Sequence, residues 1–199
     1  MTGTVQTQPL WVLALCFIEN AGIAFLVVRL LFRESDTRLV GALASVAGVI
    51  GVGNYANGVP LFPGLVIVWC ICTAFVAAIC YDVQTRRIPP IVVAPVLALL
   101  TGIDIAHGDW DAIGTGLVIG LAFFGLSWLR TKDVNSGLGD ALLSGLAGLA
   151  FGFELGTIVV AIACFASAAF ARNKSGGATA VFAPYLAATV GVALMIPGH

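Results

Sequence analysis

From Leu39 to Tyr81 the chain carries no charged side chain. As one helix this stretch would measure about 65 Å at ~1.5 Å per residue, roughly twice the hydrocarbon core of a bilayer. It therefore reads as two membrane spans, broken between Asn54 and Pro63, where Asn57, Gly58 and Pro60 add turn-forming and helix-stopping residues. Composition points the same way: 60% of the 199 residues are hydrophobic and 10% are charged. A soluble globular domain carries about 25% charged residues. Soluble enzymes, nucleic-acid binders and disulfide-stapled secreted scaffolds are poor classes for such a chain.

Other spans follow from the same arithmetic. Leu10 to Phe32 is the first, followed by the polar hexad 33–38. Ile88–Ile105 and Ala112–Leu129 flank a polar loop around His107, Asp109 and Asp111. Leu138 to Ala171 would be about 51 Å as one helix, too long for a single crossing. Glu154, flanked by Gly152 and Gly156, is the expected turn, leaving a short sixth span that is open to a re-entrant form. A last span runs from about Ala178 to Ile196. The fold expected is an all-α polytopic bundle of about eight transmembrane helices. It forms a single integral-membrane domain over 1–199, with two N-terminal helices in 1–59 and a core in about 60–199. All nine basic residues, from Arg29 to Lys174, fall on one side of this arrangement, which predicts both termini outside and the basic loops in the cytoplasm. The first apolar run has no basic region before it and is long enough to span, so it reads as a retained helix.

The five cysteines, Cys16, Cys70, Cys72, Cys80 and Cys164, all fall inside spans and form no zinc-type CxxC pair, so they read as small packing residues. His107 and His199 have no ligand-spaced neighbours, and neither a metal site nor a Ser-His-Asp arrangement has its parts. No cofactor is expected. Among the ten acids, Glu19 stands out for its mid-span position beside Asn20, either as a functional carboxyl or as a protonated partner of a neighbouring helix. It lacks a surrounding motif and stays outside the candidate site.

Asp82 closes the third span in Tyr81-Asp82-Val83-Gln84-Thr85-Arg86-Arg87-Ile88-Pro89-Pro90, and Asp140 opens the sixth in Gly137-Leu138-Gly139-Asp140. Singly, Asp82 reads as a counter-ion for Arg86 or Arg87, and Asp140 as a cap for a helix starting at Ala141. Together they fall at one membrane edge. Two facing carboxyls do not readily both ionise, so one holds a proton while the other accepts one from water. That is the equipment of aspartic proteolysis. Gly137 and Gly139 allow close backbone approach, and Gly145, Gly148 and Gly152 allow tight helix packing.

On these residues the sequence resembles the type IV prepilin peptidases, membrane aspartic proteases with one Asp ahead of an Ile-Pro element and a second in Gly-x-Gly-Asp. The matching positions are Asp82, Ile88 and Pro89, then Gly137, Gly139 and Asp140, with Ala183-Pro184-Tyr185-Leu186 as a third likeness in the last span. The resemblance covers about residues 60–199. It implies Asp82 and Asp140 as catalytic residues, with Gly137, Gly139, Ile88, Pro89 and Pro184 in support. The implied substrate is a prepilin or prepilin-like protein, a short basic leader followed by a hydrophobic helix, cut between these parts at the cytoplasmic face of the plasma membrane. Membrane lipid is the other implied contact, and nucleic acid is not expected. The chain departs from the family at Pro90, where Asn is usual, and at Leu142, where Lys is frequent. The cysteine-rich zinc region that accompanies N-methylation in many members is replaced by the hexad 33–38, which implies a peptidase without methyltransferase activity. Each acid's place on its own helix favours Asp140 as base and Asp82 as acid, but Arg86 and Arg87 oppose the effect at Asp82, so the division of roles stays open.

Two other readings stand beside this one. Tyr81-Asp82 and Gly137-Leu138-Gly139-Asp140 also resemble the presenilin and signal-peptide-peptidase class, which cuts inside transmembrane helices. Paired membrane-edge carboxylates also suit a small cation- or proton-coupled transporter, although Glu19 is the sole mid-span acid on such a path.

Overall fold

In the computed structural model the described residues are 9–31, 36–58, 66–85, 88–131, 137–172 and 182–195. They form seven helices: α1 (Leu10–Leu31), α2 (Thr37–Ala56), α3 (Val66–Thr85), α4 (Pro90–His107), α5 (Trp110–Thr131), α6 (Leu138–Arg172) and α7 (Ala183–Leu194). Six are long and apolar enough to cross a membrane. The protein is a polytopic helical bundle, as the charge-free runs predict. The expected break in the 39–81 run falls between Ala56 and Val66, after Gly58 at φ +89°.

Two compact units divide the chain at residue 73, inside the sequence of α3. In the first unit α1 packs along α2. Val12 and Cys16 on α1 are buried, with Val52, Tyr55 and Trp69 packed against them. The α2 start is capped by Asp36, whose side chain accepts from the Arg38 N–H at 2.8 Å. Gly51 is required at a close approach, because a Cβ there would lie 2.5 Å from Cγ of Asn20.

In the second unit α5 and α6 share the most extensive contact, and α6 also packs on α4 and α7. Pro89 precedes α4 and Pro90 takes its first position, where a missing N–H costs nothing and a fixed φ favours the helix. The family-atypical Pro90 is thus a helix start. α4 ends at Gly108 in the left-handed conformation, and Asp109 then caps α5 by accepting from the Ala112 N–H at 3.1 Å. Asp109, in the polar loop expected between the two spans, therefore has a structural task.

α6 is two arms joined at Gly152, which has φ 72° and ψ −177°. In an uninterrupted helix Gly148 and Gly156 would be about 12 Å apart. Here a Cβ on Gly156 would meet the Gly148 Cα at 2.9 Å and the Ala147 carbonyl oxygen at 3.2 Å, so the chain doubles back. The turn expected around Glu154 is present but pivots on Gly152, the residue able to take a positive φ, and Glu154 lies exposed on the second arm. The first arm is about 21 Å long, short of the ~30 Å hydrocarbon core. Gly116 and Gly120 of α5 face Gly145 and Gly148 on this arm at backbone contact distances. α7 covers Ala183–Leu194, less than the 178–196 expected; Phe182 and Met195 flank it as its caps, and 178–181 and 196 lie outside the described residues.

Candidate active site

Asp82 lies on the last turn of α3, which continues beyond it to Thr85. Its side chain is buried, with 4% exposure. Oδ2 accepts from two main-chain donors, the N–H groups of Phe182 and Ala183, each at 3.1 Å. These groups open α7, whose N-cap residue Phe182 makes no side-chain capping bond of its own. A carboxylate from a helix 100 positions upstream therefore caps α7. The side chains of Arg86 and Arg87, the counter-ions considered from sequence, lie outside the described residues.

Asp140 is half-buried in the first turn of α6, which begins at Leu138. It does not cap the helix: the Ala141 N–H donates to the Gly137 carbonyl at 2.8 Å, which leaves Asp140 inside the helical turn. The cap expected on a start at Ala141 is corrected by this earlier start. The Asp140 carbonyl accepts from the Ser144 hydroxyl at 2.8 Å. Asp82 lies within electrostatic reach of the Asp140 side chain, as does the thiol of Cys164 on the second arm.

Glycines bring the two motifs together. Gly137 has φ +93°, a conformation L side chains rarely adopt, and it packs on the Ser127 side chain of α5. Gly139 is buried against Ile88: a Cβ there would lie 2.6 Å from the Ile88 Cβ and 2.9 Å from its carbonyl carbon. Ile88 is itself buried and Pro89 leads into α4. The Ile-Pro element after the first Asp and the glycine before the second are thus in direct contact. Pro184 sits in the first turn of α7, next to the donor Ala183. Phe182 is fixed by Phe123 of α5, with ring centroids 4.9 Å apart.

Three features escaped the reading of the sequence. The bond from Asp82 to the start of α7 joins segments with no local signal in common; a proline in the first turn, here Pro184, is the signal that could have located that start. Cys164, read as packing, lies in reach of Asp140. In the first unit Asn20, at 2% exposure, and Asn54 are both buried, while Glu19 beside Asn20 is half-buried.

A family model, the type IV leader peptidase family, matches residues 65–172. This interval takes in Asp82, Ile88, Pro89, Gly137, Gly139 and Asp140 and ends before Pro184. No curated protein and no solved structure matches the chain. The family is one of membrane-bound peptidases acting on prepilin-type substrates. With more than half of its length matched, the chain belongs to the type IV leader peptidase family.

Proposed function

We propose that this protein is an aspartic endopeptidase that removes the basic leader from type IV prepilins or prepilin-like proteins, using Asp82 and Asp140 as its catalytic pair. The observation that carries the reading is the contact of Gly139 with Ile88, which joins the two Asp-bearing motifs within the family-matched interval. The electrostatic reach between the two acids supports a pair that works jointly. Water is the nucleophile, one carboxyl removing its proton while the other protonates the scissile carbonyl oxygen. The catalytic step is assigned to no metal and no covalent enzyme intermediate.

The basic residues, all on one side of the predicted topology, support an active site at the cytoplasmic membrane face and termini on the opposite side. A prepilin enters laterally, its hydrophobic helix in the bilayer and its basic leader in the cytoplasm. The hexad 33–38 in place of a zinc region supports cleavage without N-methylation. The test is mass spectrometry of the products from purified protein and a prepilin in lipid. The expected cut lies at the junction of leader and hydrophobic helix, and the new N-terminus is unmethylated when S-adenosylmethionine is supplied. Cuts inside the apolar helix would transfer the chemistry to the presenilin-like reading, and a methylated product would refute the single activity.

A further inference from the structure

The first turn of α7 accounts for its main-chain donors in a way that bears on how the two aspartates divide their work. A helix start leaves N–H groups without partners inside the helix. In α7 the N–H groups of Phe182 and Ala183 both donate to Asp82 Oδ2. Pro184 has no N–H. The N–H groups of Tyr185 and Leu186 both reach the Phe182 carbonyl oxygen at 3.1 Å. Every donor of the turn is thereby assigned, and Asp82 takes the two that the helix cannot. The turn is held in place by burial, since Ala183 and Leu186 are fully enclosed and Phe182 is seated on Phe123.

An oxygen that faces two N–H donors does not also carry a proton. Donors aimed at a carboxyl favour its ionised form, and the positive end of the α7 dipole acts in the same sense. Hydrogen bonds of 3.1 Å act at closer range than the C-terminal end of α3, which by itself would favour Asp82 as the acid. Among the described residues, the titratable groups in electrostatic reach of Asp140 are Asp82 and the Cys164 thiol; with Asp82 held ionised by its two donors, the proton of the pair is left to Asp140.

We propose that the main-chain N–H groups of Phe182 and Ala183 are positioning groups that hold Asp82 as the general base and leave Asp140 as the acid. This division of labour rests on the aspartic peptidase reading above. In the forward step Asp82 takes a proton from water as the water oxygen bonds to the scissile carbonyl carbon, and Asp140 gives its proton to the carbonyl oxygen. In the second step the C–N bond breaks. The leaving amine takes the proton held by Asp82, and the collapsing diol returns a proton to Asp140. Both carboxyls are then restored.

The test replaces the Phe182–Ala183 amide with an ester in full-length protein made by cell-free synthesis, which removes one donor without adding bulk. The limbs of the kcat/KM–pH profile belong to the coupled pair, and which limb moves is diagnostic. Loss of a donor to the base moves the acidic limb upward by about one pH unit, leaving the alkaline limb and the KM for prepilin in place. Ala183→Pro deletes the same donor genetically and moves the same limb. A shifted alkaline limb, or an unmoved profile in both variants, overturns the assignment. Hydrogen exchange reads the bond without activity: the Phe182 and Ala183 amides are protected in the wild type and lose protection in Asp82→Ala. Rapid exchange of both in the wild type also overturns the proposal. Failure of the wild type to cut any prepilin would instead defeat the peptidase reading, while exchange still decides the bond.

Discussion

Both units bury polar side chains in an apolar setting, and they bond them in opposite ways. In the first unit Asn20 donates to the Cys16 carbonyl at 2.9 Å and Asn54 to the Ile50 carbonyl at 3.0 Å, both four residues back on their own helices. In the second unit Asp82 accepts from the start of another helix, 100 and 101 residues away. A bond inside one helix needs no tertiary partner and travels with the helix wherever it packs. A bond between helices fixes where a carboxylate sits relative to the rest of its unit. The first device makes a polar residue tolerable in an apolar helix, whereas the second fixes the position of the carboxyl proposed to be catalytic.

That contrast can be broken by substitution, and the largest effect is expected at Asp82. Asp82→Ala removes a member of the proposed acid–base pair and the cap of α7 together, and prepilin cleavage should fall by roughly 10²–10⁴-fold. A cleavage assay that retains more than a tenth of the wild-type rate would leave Asp82 no better placed than Asn20. Gly139→Ala comes next. The added methyl meets the Ile88 backbone, which has little room to move, and overpacking of this kind costs about 1–3 kcal/mol. Unfolding in detergent should show that loss together with reduced cleavage, since the same contact joins the two motifs.

Smaller effects are expected in the first unit. Gly51→Ala drives a methyl against the Asn20 side chain, and unfolding should register a cost of about 1 kcal/mol that is largely relieved in the double variant with Asn20→Ala. Asn20→Ala alone should change stability by about 0.6 kcal/mol, the scale of a side-chain hydrogen bond within a membrane protein. Its cleavage rate should match the wild type. A large loss of cleavage from Asn20→Ala would show that the first unit does more than house an amide that donates within its own helix.

What was legible in the sequence is what depends on local chemistry. The absence of charge between Leu39 and Tyr81, with Asn57 and Gly58 inside it, marked a break that the structure brackets between Ala56 and Val66. Gly152, Glu154 and Gly156 marked a reversal, and the structure moves its pivot by two residues to the glycine that accepts φ 72°. Asp82 and Asp140 could be singled out because spacing and flanking glycines are written along the chain. The bond from Asp82 to α7 could not be read, because main-chain N–H groups are present at almost every residue and carry no signature in side-chain identity. Asn20 was overlooked in favour of Glu19 for a related reason. A charged residue draws notice in an apolar span, yet the neutral amide, able to bond the carbonyl four residues back, is the one buried.

Asp82 and Asp140 are proposed to activate water together on a prepilin. The most direct measurement is the single-turnover cleavage rate of a prepilin by purified wild type, Asp82→Asn and Asp140→Asn, with folding of each verified by its thermal transition in detergent. Wild-type cleavage at the leader junction, with both folded variants reduced to background, is the predicted result. A folded variant at either position that cuts at the wild-type rate would contradict it.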